Sequence, residues 1–300
     1  MADHRSFQDE INRNKLKSFL LLIIIAVFFV VLGFVIAQFF DPSFLFIIMV
    51  LSIIVSLSYT LISYYNSDKI ALASVGAVPA SPTAHRVLFN AVESMSLASG
   101  LPMPKVYVMN MAQINAFASG RNPEHAVICV TTGALESLNK QELEGVVGHE
   151  MSHIANYDVR FMTLATVMIG MISIMAEIFL RSLWFRGSDD RENKGNVALL
   201  IIGILFSILA PIVANLVALA ISRKREFGAD ASGVKFTRYP PGLISALKKI
   251  KQESLSEQEK RRIPKAVAPL FMSDPYRKKF SDAFSTHPNI DERIKRLESM

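Results

Sequence analysis

Long uncharged runs and mixed stretches alternate along this 300-residue chain. Ser18 to Phe40 gives 23 consecutive uncharged positions, Asp41-Pro42 interrupts them, and Ser43 to Tyr65 gives 23 more. A bilayer core takes about 20 residues of helix, so the pattern predicts two membrane helices joined by a tight turn. The first run is too long for a signal-peptide core and lacks a small-x-small cleavage site, so it reads as a retained anchor. Two further apolar runs, Phe161 to Leu180 and Val197 to Ser222, predict a second helical pair. The stretches between are mixed. Ser81 to Gly100 carries Val87, Leu88, Ala91, Val92 and Met95 at helical spacing, and Gln141 onward again reads as helix. Lys105 to Asn110 and Ala126 to Thr131 are β-rich, with Asn115 to Ser119 between them, which predicts a small meander. Leu243 to Arg262 predicts a surface helix. Ile263 to Pro288, with four prolines, predicts an irregular, lid-like segment.

Four segments follow from this pattern: a transmembrane hairpin at 1–65, a folded stretch at 66–160, a second hydrophobic pair at 161–222 and a folded stretch at 223–300. The fold class is α+β, mainly α: a polytopic membrane protein with about four hydrophobic helices and a soluble part carrying a small β-sheet. Composition agrees, since 51% of residues are hydrophobic and 19% are charged, against about 25% charged in globular chains. The net charge of +6 is no nucleic-acid footprint. Its basic residues gather at the ends of apolar runs (Arg13, Lys15, Lys17; Arg223, Lys224, Arg225), as membrane topology requires. Four basic residues precede the first run and the Asp41-Pro42 turn has none, so the N-terminus and both folded stretches are expected in the cytoplasm. The linker at 181–196 also holds four basic residues, which leaves open whether the second pair spans fully. The single cysteine, Cys129, excludes an intrachain disulfide and reads as a buried strand residue.

The chemistry sits in His149-Glu150-Met151-Ser152-His153. Two imidazoles at i and i+4 share one helical face and can reach a single Zn²⁺, and Glu150 is placed to act on water at that metal. A catalytic zinc usually has three protein ligands and an open position. No histidine follows closely behind His153, so the third ligand is sought on another helix. Arg225-Glu226-Phe227-Gly228-Ala229-Asp230 supplies it. Glu226 and Asp230 share a face, with Glu226 for the metal and Asp230 to accept the second ring N–H of His149. This is a gluzincin-type arrangement for one zinc per chain. His153 precedes the third apolar run and Glu226 follows the fourth, so an even number of crossings is needed for them to meet near the membrane surface.

Asn115-Ala-Phe-Ala-Ser-Gly120, Thr132-Gly-Ala-Leu135, His149-Glu-Met-Ser-His-Ile-Ala-Asn-Tyr-Asp158, Ser222-Arg-Lys-Arg-Glu-Phe-Gly-Ala-Asp230 and Ser285-Thr-His-Pro288 with Arg293 resemble the HtpX group of M48 metalloproteases over nearly the whole chain. The resemblance implies a membrane-bound, heat-shock-type protease that degrades damaged or misfolded membrane proteins in the bacterial cytoplasmic membrane. It implies His149, His153 and Glu226 as zinc ligands and Glu150 as the catalytic carboxylate. It further implies an edge strand at Asn115, Ala116 and Phe117, where an extended substrate pairs by β-augmentation, and His287 as a stabiliser of the oxyanion. Asp158 and Arg293 read as ion-paired scaffolding, His85 and His125 as surface residues. The partners expected are protein substrates and the lipid bilayer, not nucleic acid.

Three rivals are weaker. A scaffold with structural zinc would need four ligands. A transporter built around Glu177 leaves the histidine motif unexplained. The CAAX-processing relatives have more membrane spans than four.

Overall fold

The computed structural model describes residues 7–37, 41–166, 168, 223–252, 270–273 and 288–300. Two long helices, α1 (Phe7–Ala37) and α2 (Leu45–Tyr65), form an antiparallel hairpin. Asp41 caps the turn between them by accepting the backbone N–H of Ser43 at 2.9 Å. Close approach is possible at Gly33, where a Cβ would overlap the Ser52 hydroxyl, and Ser56 Oγ donates to the Ala26 carbonyl at 3.0 Å. Two spans of 24 residues, Ile11–Phe34 within α1 and Pro42–Tyr65 made of the short turn at Pro42–Phe44 and α2, are long and apolar enough to cross a bilayer. Their outer faces leave Phe19, Val27, Phe34, Phe46, Ile54 and Leu61 exposed. The two are not equivalent: 33% of the α1 window is buried and only 6% of the α2 window, so α1 is the one that docks on the rest of the chain. The second hydrophobic pair lies outside the described residues, apart from 161–166 and 168.

Strands β1 (Val78–Pro79), β2 (Lys105–Met109), β3 (Ala116–Gly120) and β4 (Ala126–Thr131) form one sheet in the order β1-β2-β4-β3. The expected meander gives way to a mixed sheet. β3 and β4 are an antiparallel hairpin, whereas β2 lies on the far side of β4 and parallel to it. The β2–β3 connection therefore crosses the end of β4. It is tied there by the Gly133 N–H on the Met111 carbonyl (2.9 Å) and the Met111 N–H on Thr132 Oγ1 (3.1 Å). All of β4 is buried, and its alternate side chains serve two cores: Ala126, Ile128 and Val130 on one face, Val127 and Cys129 on the other. β3 is left at the edge.

The first core lies between that sheet and the helices α4 (Arg86–Ser99), α6 (Lys140–Ala155), α9 (Pro240–Gln252) and α10 (Ile290–Leu297), numbered after α3 (Ser67–Ser74) and α5 (Thr132–Ser137). Leu88, Val92, Val146, Met151, Leu247 and Ile294 fill it, each contributing roughly 1.5–3 kcal/mol by full burial. The helix expected on the surface from Leu243 is α9, and it is not merely a surface helix. Leu243, Ala246, Leu247 and Ile250 recur at helical spacing and are buried, and α9 packs on α6. The second core joins Leu21, Ile25 and Phe28 of α1 to Phe161, Leu164 and Ala165 of α7 (158–166) and to Phe117, Val127 and Cys129 of the sheet. A membrane-type helix thus contributes to the core beneath the sheet.

Candidate metal centre

Helix α6 begins with a capping box. The Asn139 side chain accepts the Glu142 N–H at 3.0 Å and the Glu142 carboxylate accepts the Asn139 N–H at 2.8 Å, an arrangement that stabilises the helix by about 1 kcal/mol. The same carboxylate takes hydrogen bonds from Ser245 and Lys249, which pins the start of α6 to α9. Helix α8 (Arg223–Thr237) crosses α6 where both lack side chains. A Cβ on Gly233 would lie 2.9 Å from the His149 backbone nitrogen, and one on Gly148 would lie 3.1 Å from the Gly233 carbonyl oxygen. Two glycines permit this approach, and it brings Glu226, two turns earlier on α8, over the histidine pair.

His149 Nε2 lies 3.5 Å from Glu226 Oε2 and His153 Nε2 lies 3.6 Å from Glu226 Oε1. The two rings are perpendicular, their centroids 4.9 Å apart. One ligand atom from each of His149, His153 and Glu226 falls within 4.8 Å of the others, and all three residues are buried. These separations are too long for hydrogen bonds. They suit a shared ion, because ligand atoms about 2.0–2.2 Å from a tetrahedral zinc stand about 3.3–3.6 Å apart. Among the described residues, His149 Nε2 and Glu150 Oε1 are buried without a hydrogen-bond partner. Charge points the same way. Glu150, Glu226 and Asp230 face one guanidinium, Arg293, all of them buried. Two negative charges are left for a divalent cation to offset. The donor set fits zinc.

A second layer of groups aims the histidines. His149 Nδ1 is 2.9 Å from Asp230 Oδ1 and His153 Nδ1 is 3.1 Å from Asp158 Oδ2. Each carboxylate holds a proton on Nδ1, which turns both Nε2 lone pairs toward Glu226. Asp230 is gripped at both oxygens by Arg293 of α10, at 2.8 and 2.6 Å, and Arg293 also donates to the Met272 carbonyl at 3.2 Å. Asp158 receives Arg225 Nε at 3.1 Å and Asn14 Nδ2 at 2.7 Å. Both residues read as ion-paired scaffolding are ion-paired, and each touches one of the two histidines.

The electrostatics are those of a crowded buried site. Burial and the Arg293 charge oppose protonation of His149, but Asp230 and Glu226 outweigh them and raise it to about 9. Burial pushes the Glu150 carboxyl up; the Glu226 charge adds to this, while His149 and His153 oppose it. Burial also works against the charge on Asp230, yet Arg293 and His149 hold its carboxyl below the usual range.

Strand β3 runs beside this centre, and its outer edge is partly engaged within the chain. The Ala116 carbonyl accepts the Met272 N–H at 2.9 Å. The Asn115 carboxamide donates to the Ser273 carbonyl at 2.8 Å and accepts the Ser273 N–H at 3.2 Å. Phe117 is buried, its ring 5.3 Å from that of Phe271. Ala118 is the next position whose backbone faces outward, and it hydrogen-bonds Glu150. His287 lies outside the described residues. His125 is exposed, and His85 is half-buried, accepting the Ser81 N–H at 3.0 Å. Sequence reasoning missed Asn14, Met272 and Ser273, whose contacts with Asn156, Ala116 and Asn115 span 142 to 158 residues with no motif to mark them.

What the two facing helices and the apolar hairpin amount to is a class, the membrane-bound metalloproteases. Comparison with known proteins specifies it. The model for peptidase family M48 matches residues 82–300. A protease HtpX homolog of Caldanaerobacter subterraneus subsp. tengcongensis is 45% identical over 292 residues, 96% of this chain and 95% of that protein. One of Thermoanaerobacter pseudethanolicus is 47% identical over 246 residues, 81% of each chain. The crystal structure of S. mikatae Ste24p aligns at 19% identity with a TM-score of 0.47, over 95% of this chain and 65% of that one. The chain belongs to peptidase family M48, and as a membrane-bound metalloprotease it is a hydrolase.

Proposed function

We propose that this chain is a zinc-dependent endopeptidase of a bacterial cytoplasmic membrane, its catalytic face toward the cytoplasm, and that it degrades misfolded or damaged membrane proteins. The observation that carries the reading is the spacing of the buried ligand atoms of His149, His153 and Glu226, which suits tetrahedral zinc. Its bacterial relatives, themselves called proteases, support the setting. The basic residues before the first hairpin, and their absence from Asp41-Pro42, support the sidedness.

In this reading His149 and His153 hold the metal through Nε2 and Glu226 through its carboxylate, while Asp230 and Asp158 fix the two rings. Zinc, when bound, supplies Lewis acidity and a nucleophilic water near neutral pH. Glu150 takes the proton of the attacking water and returns it to the leaving amine. Asn115, Ala116 and Phe117, the positions expected to bind substrate, are engaged within the chain, so an extended substrate pairs with the β3 edge beyond them. Its register there begins at Ala118, because 272–273 already occupy the positions before it. His287 is assigned the oxyanion on the strength of the family resemblance alone.

Glu150→Gln tests the reading directly. In full-length, detergent-purified protein it should keep zinc by atomic absorption while turnover of a fluorogenic peptide falls about 10²–10⁴-fold. Undiminished turnover in the zinc-loaded variant would overturn the assignment.

A further inference from the structure

We propose that Asn14, on the first membrane helix, is a positioning residue for the metal ligand His153 and acts through Asp158. The inference rests on the zinc reading above and extends it, because it makes the anchor helix part of the site that it tethers.

Asn14 stands near the start of the apolar span of α1 and is buried. A buried carboxamide is unfavourable without partners, and Asn14 has two. Its Nδ2 donates to the Asn156 carbonyl at 3.0 Å and to Asp158 Oδ1 at 2.7 Å. Between those acceptors lies Tyr157, whose φ of 59° is left-handed, a conformation that costs a bulky residue about 1–3 kcal/mol and persists only where its surroundings impose it. This turn ends α6 and folds Asp158 back beneath His153, placing Oδ2 3.1 Å from Nδ1. Asn14 therefore clamps both sides of the strained residue, and Lys15 lies 4.4 Å from the centre of the Tyr157 ring. Asp158 Oδ1 is shared between Asn14 of α1 and Arg225 of α8. With that oxygen held from two helices, Oδ2 is left aimed at the histidine. Removing Asn14 leaves Arg225 to hold Asp158 and strips a hydrogen bond from the turn, so the His153 ring loses part of its orientation.

Co²⁺ reports this in full-length protein, because its visible ligand-field bands respond to the direction of each ligand. Asn14→Leu keeps the side-chain size and removes both donors. It should change the Co²⁺ spectrum and weaken Zn²⁺ binding about tenfold against a chromogenic chelator, the lower end for a group supporting a ligand. It should also lower kcat with KM unchanged. Ser18→Ala is the control: Ser18 is buried one turn further along α1 and donates to the Asn14 carbonyl, not to Asp158. It should match the unmodified protein in all three measurements. If Asn14→Leu does not fold, Asn14→Ser carries the same expectation, since its hydroxyl is too short to reach Asp158. A Co²⁺ spectrum and Zn²⁺ affinity unchanged in a folded Asn14 variant would overturn the proposal. An unmodified protein that binds neither ion would instead remove the zinc reading beneath it.

Discussion

Asp230→Ala isolates what α8 and α10 contribute to the centre. It deletes two hydrogen bonds from Arg293, at 2.8 and 2.6 Å, together with the 2.9 Å contact to His149 Nδ1. Arg293 is 1% exposed, and its remaining neighbours include the Met272 carbonyl and Glu226 Oε2, the latter at 3.7 Å. Removing one partner of a buried pair in this way costs about 3–5 kcal/mol. In a chain of this size each kcal/mol moves the melting temperature by ~2–4 °C, so a fall of ~6–20 °C follows. Adding Arg293→Met takes the guanidinium from Glu226 and Glu150 as well, so in metal-free protein the double variant should recover none of the loss. Zinc affinity should not recover. His149 lacks its Nδ1 acceptor in both variants, so both should bind about 10–100-fold more weakly. Thermal melts of metal-free protein in detergent and chelator competition read the two effects separately. A double variant that melts well above Asp230→Ala would refute the charge argument. Full zinc affinity in either variant would refute the orienting role of Asp230.

Glu226→Ala should release zinc on dialysis more completely than Asp230→Ala, and equal, near-full occupancy by atomic absorption would place the third ligand elsewhere. In metal-free protein burial and Arg293 oppose a charge on His149, but Asp230 and Glu226 raise it from 6.5 to about 9. A raised histidine stabilises fully below its unfolded pKa and ceases to as pH rises through the folded one. The metal-free melting temperature should therefore drop between pH 6.5 and 9, while apparent zinc affinity rises over the same window as the proton is displaced. A flat profile would mean that folding does not raise His149 above its unfolded value. Gly233→Ala puts a Cβ 2.9 Å from the His149 backbone, an overpacking worth about 1–3 kcal/mol. It should lower both stability and zinc affinity, and an unaltered variant would show that the helices do not touch there.

The donor set was the most legible feature, because its chemistry is written at fixed short spacings. His149 and His153 are one helical turn apart, Glu226 and Asp230 likewise, and each pair needs only one helix to be interpretable. The α1–α2 hairpin was equally plain, since its length and apolarity are summed over many residues. Sheet order was not. β3 and β4 are a local hairpin, but the side of β4 on which β2 lies depends on the crossing held by Met111, Thr132 and Gly133. The helix at Leu243 looked superficial because a stripe of four apolar residues does not say how deeply its face is covered. The contacts of Asn14 and Ser273 are single polar pairings across more than 140 residues, with no periodicity to announce them. Asp158 and Arg293 were recognisable as ion-pair formers, but their proximity to the histidines exists only in three dimensions.

The paired arrangement of donors also sets a schedule. His153 and Glu226 are 73 residues apart, and the group that grips Asp230, Arg293, comes 67 residues later still. At a synthesis rate of about 5–20 residues per second, Glu226 appears roughly 4–15 s after the histidines, and Arg293 after a comparable delay. During that interval residues 161–222 emerge, while the nascent chain holds His149 and His153 without Glu226. The His149, His153 and Glu226 cluster therefore cannot be assembled, nor Arg293 closed on Asp230, until nearly the whole chain has been made.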